Sequence, residues 1–325
     1  MVRILAEAGQ CHGGDVATAI DMAYRAKHAG AWGIKYQMLQ PETIASPNAA
    51  KYWHDDFGTA NQREAFTRAG ILPDEAWQEI AWACSDFDLE FVCTPFDLQA
   101  VEALENIGVG CYKIASGDIT YRQLISLVAE TGKTLILSTG AAFSSEIERA
   151  LVWCGQVPVT LLACNLAYPT APHEANMGRI ETLRHVFPQC EVGWSDHVSL
   201  ASSGLAAGAL GSVLNEVHYT LDKHAPDCAD NAMALDPSGL AEYVTASNLG
   251  EKLRGSTELA PNPSEEPARH GARRSLCAAR DIARGETLTA DDLVALRPGD
   301  GIPPYLWEQM VGTITKRPIP AGTQV

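Results

Sequence analysis

"KTLILSTGAAFSSEIERALVWCGQVPVTLLACN", residues 133–165, holds two apolar strand-like runs, 133–140 and 157–165, separated by an amphipathic helical segment, 144–156. A strand, a helix and a second apolar strand make the unit of a parallel sheet buried on both faces. The same unit recurs in both directions along the chain. Further strand-like runs fall at 2–9, 32–39, 89–97, 111–117, 190–197 and 212–222. Helical segments fall at 17–30, 73–88, 98–108, 120–132, 175–187, 199–211 and 237–253, and a long polar excursion, 40–72, precedes the second helix. Eight such units in about 250 residues close most economically as an α/β (β/α)8 TIM barrel. A doubly wound open sheet is the competing architecture. No GxGxxG follows the first strand, which weakens its dinucleotide-binding version.

The chain has 325 residues, 46% hydrophobic and 20% charged, as expected of a globular protein. A chain of this size buries roughly 75% of the surface its unfolded form exposes, so it needs no disulfide staples. The net charge of −16 argues against nucleic-acid or anionic-membrane partners, which need a basic face. It leaves room for a small anionic substrate held by a few buried lysines. The opening "MVRILAEAGQ" turns polar too early for a signal peptide, and no run of about 18 apolar residues offers a membrane span. The nine scattered cysteines form no CxxC pair and read as reduced thiols of a cytoplasmic protein. Residues 1–253 read as the barrel, 254–272 as a Pro-, Ser- and Glu-rich linker, and 273–325 as a small β-rich domain.

The active site of a TIM barrel lies at the C-terminal ends of its strands. In this sequence those ends carry Glu7, Lys35 and Gln37, Thr94, Lys113 and Ser116, Ser138, Asn165 followed by Tyr168, Ser195 and His197, and Glu216 and His218. Unpaired buried polar groups cost about 1–3 kcal/mol each, so such a rim on apolar strands implies a site. His197 and His218, from adjacent strands, can share one divalent cation and leave positions open for water and substrate oxygen. Two core histidines are the plainer alternative. Lys35 and Lys113, among Thr94, Ser116, Ser138 and Ser195, suit a phosphate or carboxylate. The alternatives are lysines paired with Glu7, Asp118 or Glu216, and a Schiff-base role for Lys113.

The ordered stretches "AEAGQCHGGD", "GIKYQ", "CTPFD", "YKIASGDIT", "ILSTG", "YPTAP", "GWSDH" and "EVHYTLD" resemble the sialic acid (N-acetylneuraminate) synthase family over nearly the whole chain. The tail "ARDIARGETLTADDLVALRPGDGI" resembles the antifreeze-like (SAF) domain that ends those synthases. The resemblance implies condensation of phosphoenolpyruvate with an aldose, such as the N-acylated hexosamine N-acetylmannosamine, to a 2-keto-3-deoxy sugar acid plus phosphate. It implies Mn2+ or Mg2+ on His197 and His218, and a phosphoenolpyruvate cradle of Lys35, Thr94, Lys113, Ser116, Ser138 and Ser195. Glu7 falls at the acidic position near the sugar's reacting end, Gln37, Tyr168 and Glu216 at sugar- or metal-proximal ones, and Asp230, with Asp227 the alternative, at the acidic position after strand 8; Glu7 and Glu216 are the candidate catalytic residues that would handle protons. It also implies a domain-swapped homodimer in which Arg297 reaches the partner's site. The rival activities are a pyruvate aldolase and a non-catalytic sugar-acid-binding barrel. This chain departs from the family pattern at Cys11, Ala163, Leu166 and the 226–231 loop, all on the sugar half. Leu166 stands where a hydrogen-bonding residue is usual, which predicts poor use of N-acetylmannosamine.

Overall fold

The computed structural model describes residues 1–53, 58–225 and 228–325. It divides into two compact units, Met1–Gly255 and Ser256–Val325. In the first, β1 (Arg3–Gly9), β2 (Gly33–Met38), β3 (Glu90–Pro95), β4 (Cys111–Ile114), β5 (Thr134–Ser138), β6 (Val159–Cys164), β7 (Glu191–Asp196) and β8 (Leu214–His218) close into a barrel in sequence order. Every pairing is parallel, and β1 closes onto β8 with Leu5 opposite Glu216 and Glu7 opposite His218. The helices are α1 (Val16–His28), α2 (Pro41–Ile44), α3 (Gln62–Ala69), α4 (Ala76–Asp86), α5 (Leu98–Ile107), α6 (Arg122–Glu130), α7 (Ser144–Cys154), α8 (Arg179–Val186), α9 (Ala201–Ala209) and α10 (Pro237–Arg254). Asp15, Asp97 and Asp236 start α1, α5 and α10 by accepting hydrogen bonds from the backbone N–H groups of Thr18, Ala100 and Gly239. Each satisfies a donor that the first turn leaves without a partner.

Strand alternation divides the core in two. One set of strand residues, including Ile4, Ile34, Tyr36, Leu137, Leu161 and Trp194, packs against the helices. The alternate set, Leu5, Val92, Cys111, Ile136, Leu162 and Leu214, forms a separate apolar cluster that fills the lower lumen. Gly193 belongs to this inner packing. A Cβ there would lie 2.3 Å from the Leu214 carbonyl oxygen and 2.6 Å from Leu162, so a larger residue would force β7 and β8 apart. The barrel is thus solid below. Its polar chemistry begins one inward-facing step further along the same strands.

The strands end sooner than the apolar runs. β4 stops at Ile114, and Ser116 opens a 3-10 turn, Ser116–Asp118; β8 stops at His218. The excursion 40–72 is more than a polar loop: it carries α2 and α3. The stretch expected to be a linker holds a short helix, α11 (Glu266–Ala272), within the second unit. There β9 (Ser275–Ala278) pairs antiparallel with β10 (Leu293–Leu296), and α12 (Trp307–Met310) follows. Ala278, Ile282, Leu288, Leu293 and Ile319 form its small core, with Trp307, Met310 and Val325 against them.

Candidate active site

Above the apolar plug, the next inward residues are Glu7, Lys35, Thr94, Lys113, Ser138, Ser195 and Glu216, all buried. Register sets Glu7 beside Lys35 and Ser195 beside Glu216. The Lys35 ammonium meets the Glu7 carboxylate at 2.6 Å and donates to Thr94 Oγ1 at 3.1 Å. Gln37 Nε2 donates to the other Glu7 oxygen at 2.7 Å. Lys113 on β4 reaches Glu216 on β8, a strand that is not its neighbour, so the pair spans the lumen at 3.3 and 3.4 Å. Ser195 Oγ donates to Glu216 Oε1 at 3.1 Å. Both lysines are therefore paired with carboxylates, one tightly and one loosely.

Burial alone would raise the Glu216 pKa, but the Lys113 and Lys35 ammoniums outweigh it and hold the carboxyl at about 2. Burial alone would lower Lys35, but the Glu7 and Glu216 carboxylates outweigh it and raise its pKa. Lys35 and Glu216 are thus held in charged form within the lumen. The Ser138 hydroxyl beside them is buried and has no hydrogen-bond partner among the described residues. Ser116 Oγ accepts from the Gly140 N–H at 2.9 Å, which ties the turn after β4 to the end of β5.

His197 and His218 lie at the next level, with ring centroids 5.2 Å apart. Tyr168 packs on both, 4.2 Å from His197 and edge-on to His218 at 5.8 Å. His197 Nδ1 bonds the Asn165 carbonyl oxygen. A carbonyl only accepts, so Nδ1 carries the proton and the Nε2 lone pair is left for a ligand. Burial, and next the neighbouring His218, push the His197 pKa down to about 3, which keeps the ring neutral as a metal ligand requires. His218 Nδ1 faces Asp230 Oδ2 at 3.5 Å without forming a hydrogen bond. Among the described residues no group of three or more His, Cys, Asp or Glu side chains is placed to hold a metal ion. The donor set on offer is two imidazoles, with other positions left to water or substrate. That fits an exchangeable divalent ion better than a closed structural site.

Asp196 fixes this corner, a role that strand alternation hid because the residue faces away from the lumen. Its carboxylate accepts from the Val198 and Ser199 N–H groups, from Ser203 Oγ at 2.6 Å and from the Tyr243 hydroxyl at 2.8 Å. The Thr170 N–H donates to the His197 carbonyl at 2.8 Å, joining the β6 loop to the same corner.

A cleft of about 510 Å³ opens above the site, with Gln37, Ser116, Tyr168, His218 and Asp230 in its walls. The excursion supplies much of the rest: Ile44, Tyr52, Trp53, Ala65, Phe66 and Ala69. Tyr52 stacks edge-on with Trp53 at 4.8 Å, Trp53 meets Phe66 at 5.8 Å, and Tyr52 approaches Tyr168 at 6.3 Å. Three aromatic residues within a polar stretch were the sequence signal for this wall. Of the positions that depart from the family pattern, Leu166 and, in the 226–231 loop, Cys228, Ala229 and Asp230 line the cleft. Ala163 packs in the core outside the lumen. Asp227 lies outside the described residues.

Seven of the eight strands thus present a polar residue inward at the barrel top, with Cys164 on β6 the exception. Residues 22–258 match the NeuB family, and residues 273–325 match the SAF domain. The chain belongs to the NeuB family. It is 36% identical over 302 residues to an uncharacterized protein of Methanocaldococcus jannaschii, covering 92% of this chain and 86% of that one. It is 33% identical over 321 residues to the N,N'-diacetyllegionaminic acid synthase of Campylobacter jejuni, covering 97% and 96%. Among solved structures it resembles the N-acetylneuraminic acid synthetase of Leptospira borgpetersenii in complex with citrate. That match has a TM-score of 0.74 and 32% identity, covering 82% of this chain and 90% of that one. In this NeuB-family chain the expected site residues of the barrel gather at one end. Arg297 lies in the second unit, just past β10, with an exposed side chain. No helix among the described residues is long and apolar enough to cross a membrane.

Proposed function

We propose that this chain condenses phosphoenolpyruvate with an aldose to give a 2-keto-3-deoxy sugar acid and inorganic phosphate. The observation that carries the reading is the Lys113–Glu216 contact across the lumen. At 3.3 Å it is longer than a charge-assisted bond of about 2.7–2.9 Å. A loosely held ammonium in the same inward layer as the Ser138 hydroxyl, which has no hydrogen-bond partner among the described residues, is a ready anion site. Membership in a family that includes sugar-acid synthases supports the same reading.

Lys35, Thr94, Lys113, Ser116, Ser138 and Ser195 hold the phosphate and carboxylate. Orienting the enol carbon against the aldehyde is the main contribution of this rigid layer. Carbon–carbon bond formation leaves positive charge at the phosphate-bearing carbon. Water adds there and phosphate departs. Glu7, oriented by Gln37 and Lys35, and Glu216, oriented by Ser195 and Lys113, are the groups that take and return protons. His197 and His218 are the residues that would hold Mn2+ or Mg2+. When bound, such an ion supplies Lewis-acid polarisation of the aldehyde oxygen.

Tyr168, Asp230 and the Tyr52–Trp53 wall receive the acceptor. An aromatic wall with Leu166 suits an N-acylated hexosamine lacking a hydroxyl better than fully hydroxylated N-acetylmannosamine, because an unpaired buried hydroxyl costs about 1–3 kcal/mol. A swapped homodimer that uses Arg297 in trans completes the proposal and rests on the family resemblance alone.

The test is a screen of aldoses and N-acyl hexosamines for phosphoenolpyruvate-dependent phosphate release, with products identified by mass spectrometry. Phosphate release coupled to a 2-keto-3-deoxy acid is expected. Product formation from pyruvate, with borohydride trapping pyruvate on Lys113, would replace this reading with a Schiff-base aldolase.

A further inference from the structure

Two sulfurs meet at the edge of the cleft. Cys11 lies in the turn after β1, where its N–H donates to the Ala8 carbonyl at 2.8 Å. Cys228 precedes the 3-10 turn Ala229–Ala232, which carries Asp230. The two Sγ atoms are 3.7 Å apart, and both residues are buried. Among the described residues this is the one sulfur–sulfur hydrogen bond, and all nine cysteines are free thiols. Only Cys228 of the two lines the cleft. Cys228 therefore borders the cleft, and Cys11 is its neighbour outside the cleft lining.

We propose that Cys228 and Cys11 form a peroxide-reactive dithiol, in which Cys228 is oxidised first and Cys11 converts it to a disulfide. The Cys228 sulfur attacks the O–O bond of hydrogen peroxide or an organic hydroperoxide. An S–O bond forms, the O–O bond breaks, and water or an alcohol leaves, giving a sulfenic acid on Cys228. The Cys11 sulfur then displaces the hydroxyl from Cys228 as water. In total two thiols lose two electrons and two protons to one peroxide.

The order follows from position. Donation to Cys228, and next burial, push the Cys11 thiol well above its ordinary pKa, so Cys11 keeps its proton while it donates. Cys228 is the acceptor, and it is the one of the two that borders the cleft. A disulfide needs about 2.05 Å between sulfurs, so the pair must close by only about 1.6 Å from 3.7 Å. Closing it ties the turn that bears Asp230 to the loop after β1. Asp230 Oδ2 faces His218, and it lies 3.6 Å from where a Cβ on Gly9 would stand. The bond therefore acts on the acceptor wall and leaves the lysine layer alone.

The full-length reduced chain is treated with hydrogen peroxide, digested without reductant and mapped by mass spectrometry. A Cys11–Cys228 cross-linked peptide that dithiothreitol removes is expected. In Cys11→Ser, dimedone should label Cys228; in Cys228→Ser, Cys11 should stay unlabelled and no cross-link form. Oxidation confined to other cysteines, or dimedone on Cys11, would overturn the proposal, and the wild-type map decides the first point without any variant. A kinetic arm rests on the function proposed above, whereas the cross-link does not. There the oxidised protein should show a several-fold higher KM for the acceptor and little change for phosphoenolpyruvate. An unchanged acceptor KM in fully cross-linked protein would refute a regulatory role.

Discussion

Replacing Lys113 by methionine removes an ammonium from the middle of the lumen and leaves Glu216 buried without its partner on β4. Burial opposes ionisation of Glu216, and Lys113, then Lys35, more than repay it, so the carboxyl titrates at about 2. Against an ordinary glutamate near 4.3, that difference is worth about 3 kcal/mol, at the lower end of the ~3–5 kcal/mol cost of breaking a buried pair. The sign is fixed by linkage. A carboxyl depressed in the folded state stabilises above the unfolded pKa and loses that contribution as pH falls through the folded one. Urea unfolding should therefore show Lys113→Met less stable by about 3 kcal/mol at pH 7, with the gap closing as pH falls from about 5 toward 2. The double variant Lys113→Met, Glu216→Gln removes both charges and should recover most of the stability. It should not recover use of phosphoenolpyruvate. An ammonium about 4 Å from an anion gives up to ~4 kcal/mol at an effective dielectric near 20. If desolvation halves this, the KM for phosphoenolpyruvate rises roughly 30-fold. The assay is phosphate release at saturating acceptor. Wild-type KM in the double variant would show that Lys113 serves only to neutralise Glu216, and the anion-site reading would be wrong.

Chelation should abolish turnover reversibly, and His197→Ala or His218→Ala should do so permanently; full activity in protein shown by elemental analysis to hold no metal would count against a divalent ion. Trp53→Ala should raise the acceptor KM about tenfold or more through lost aromatic contact while the phosphoenolpyruvate KM holds, which steady-state kinetics with each substrate varied will decide. Leu166→Asn should improve use of N-acetylmannosamine relative to a deoxygenated analogue, and a ratio of kcat/KM values unmoved by the change would remove Leu166 from the specificity argument. Mixing Arg297→Ala chains with His197→Ala chains should restore about a quarter of wild-type activity if Arg297 acts in trans in a randomly mixed dimer; heterodimers with no activity would place it elsewhere.

The barrel was legible because strand alternation and helix spacing are local properties. Each apolar run with its following helix stands in the sequence, and eight of them leave few ways to close. The polar rim was legible for the same reason: Glu7, Lys35, Lys113, Ser195, His197, Glu216 and His218 share one parity on their strands. Pairing was not, because it depends on distance across the lumen. Sequence allowed Lys113 to face Glu7, Asp118 or Glu216, and closure of the barrel chose Glu216 by setting β4 opposite β8. The structural role of Asp196 was hidden by its outward parity, since its partners Ser203 and Tyr243 come from helices packed outside the strand. In the sequence, residues 40–72 show only a polar excursion because Tyr52, Trp53 and Phe66 follow no period; only folding the excursion over the strand ends gives them a common face. Cys11 and Cys228 lie 217 positions apart and meet only because β1 and β8 close the ring. Local periodicity thus determined the strands, their order and the polarity of their ends, while contacts between residues far apart in the chain required the closed barrel to bring them within reach.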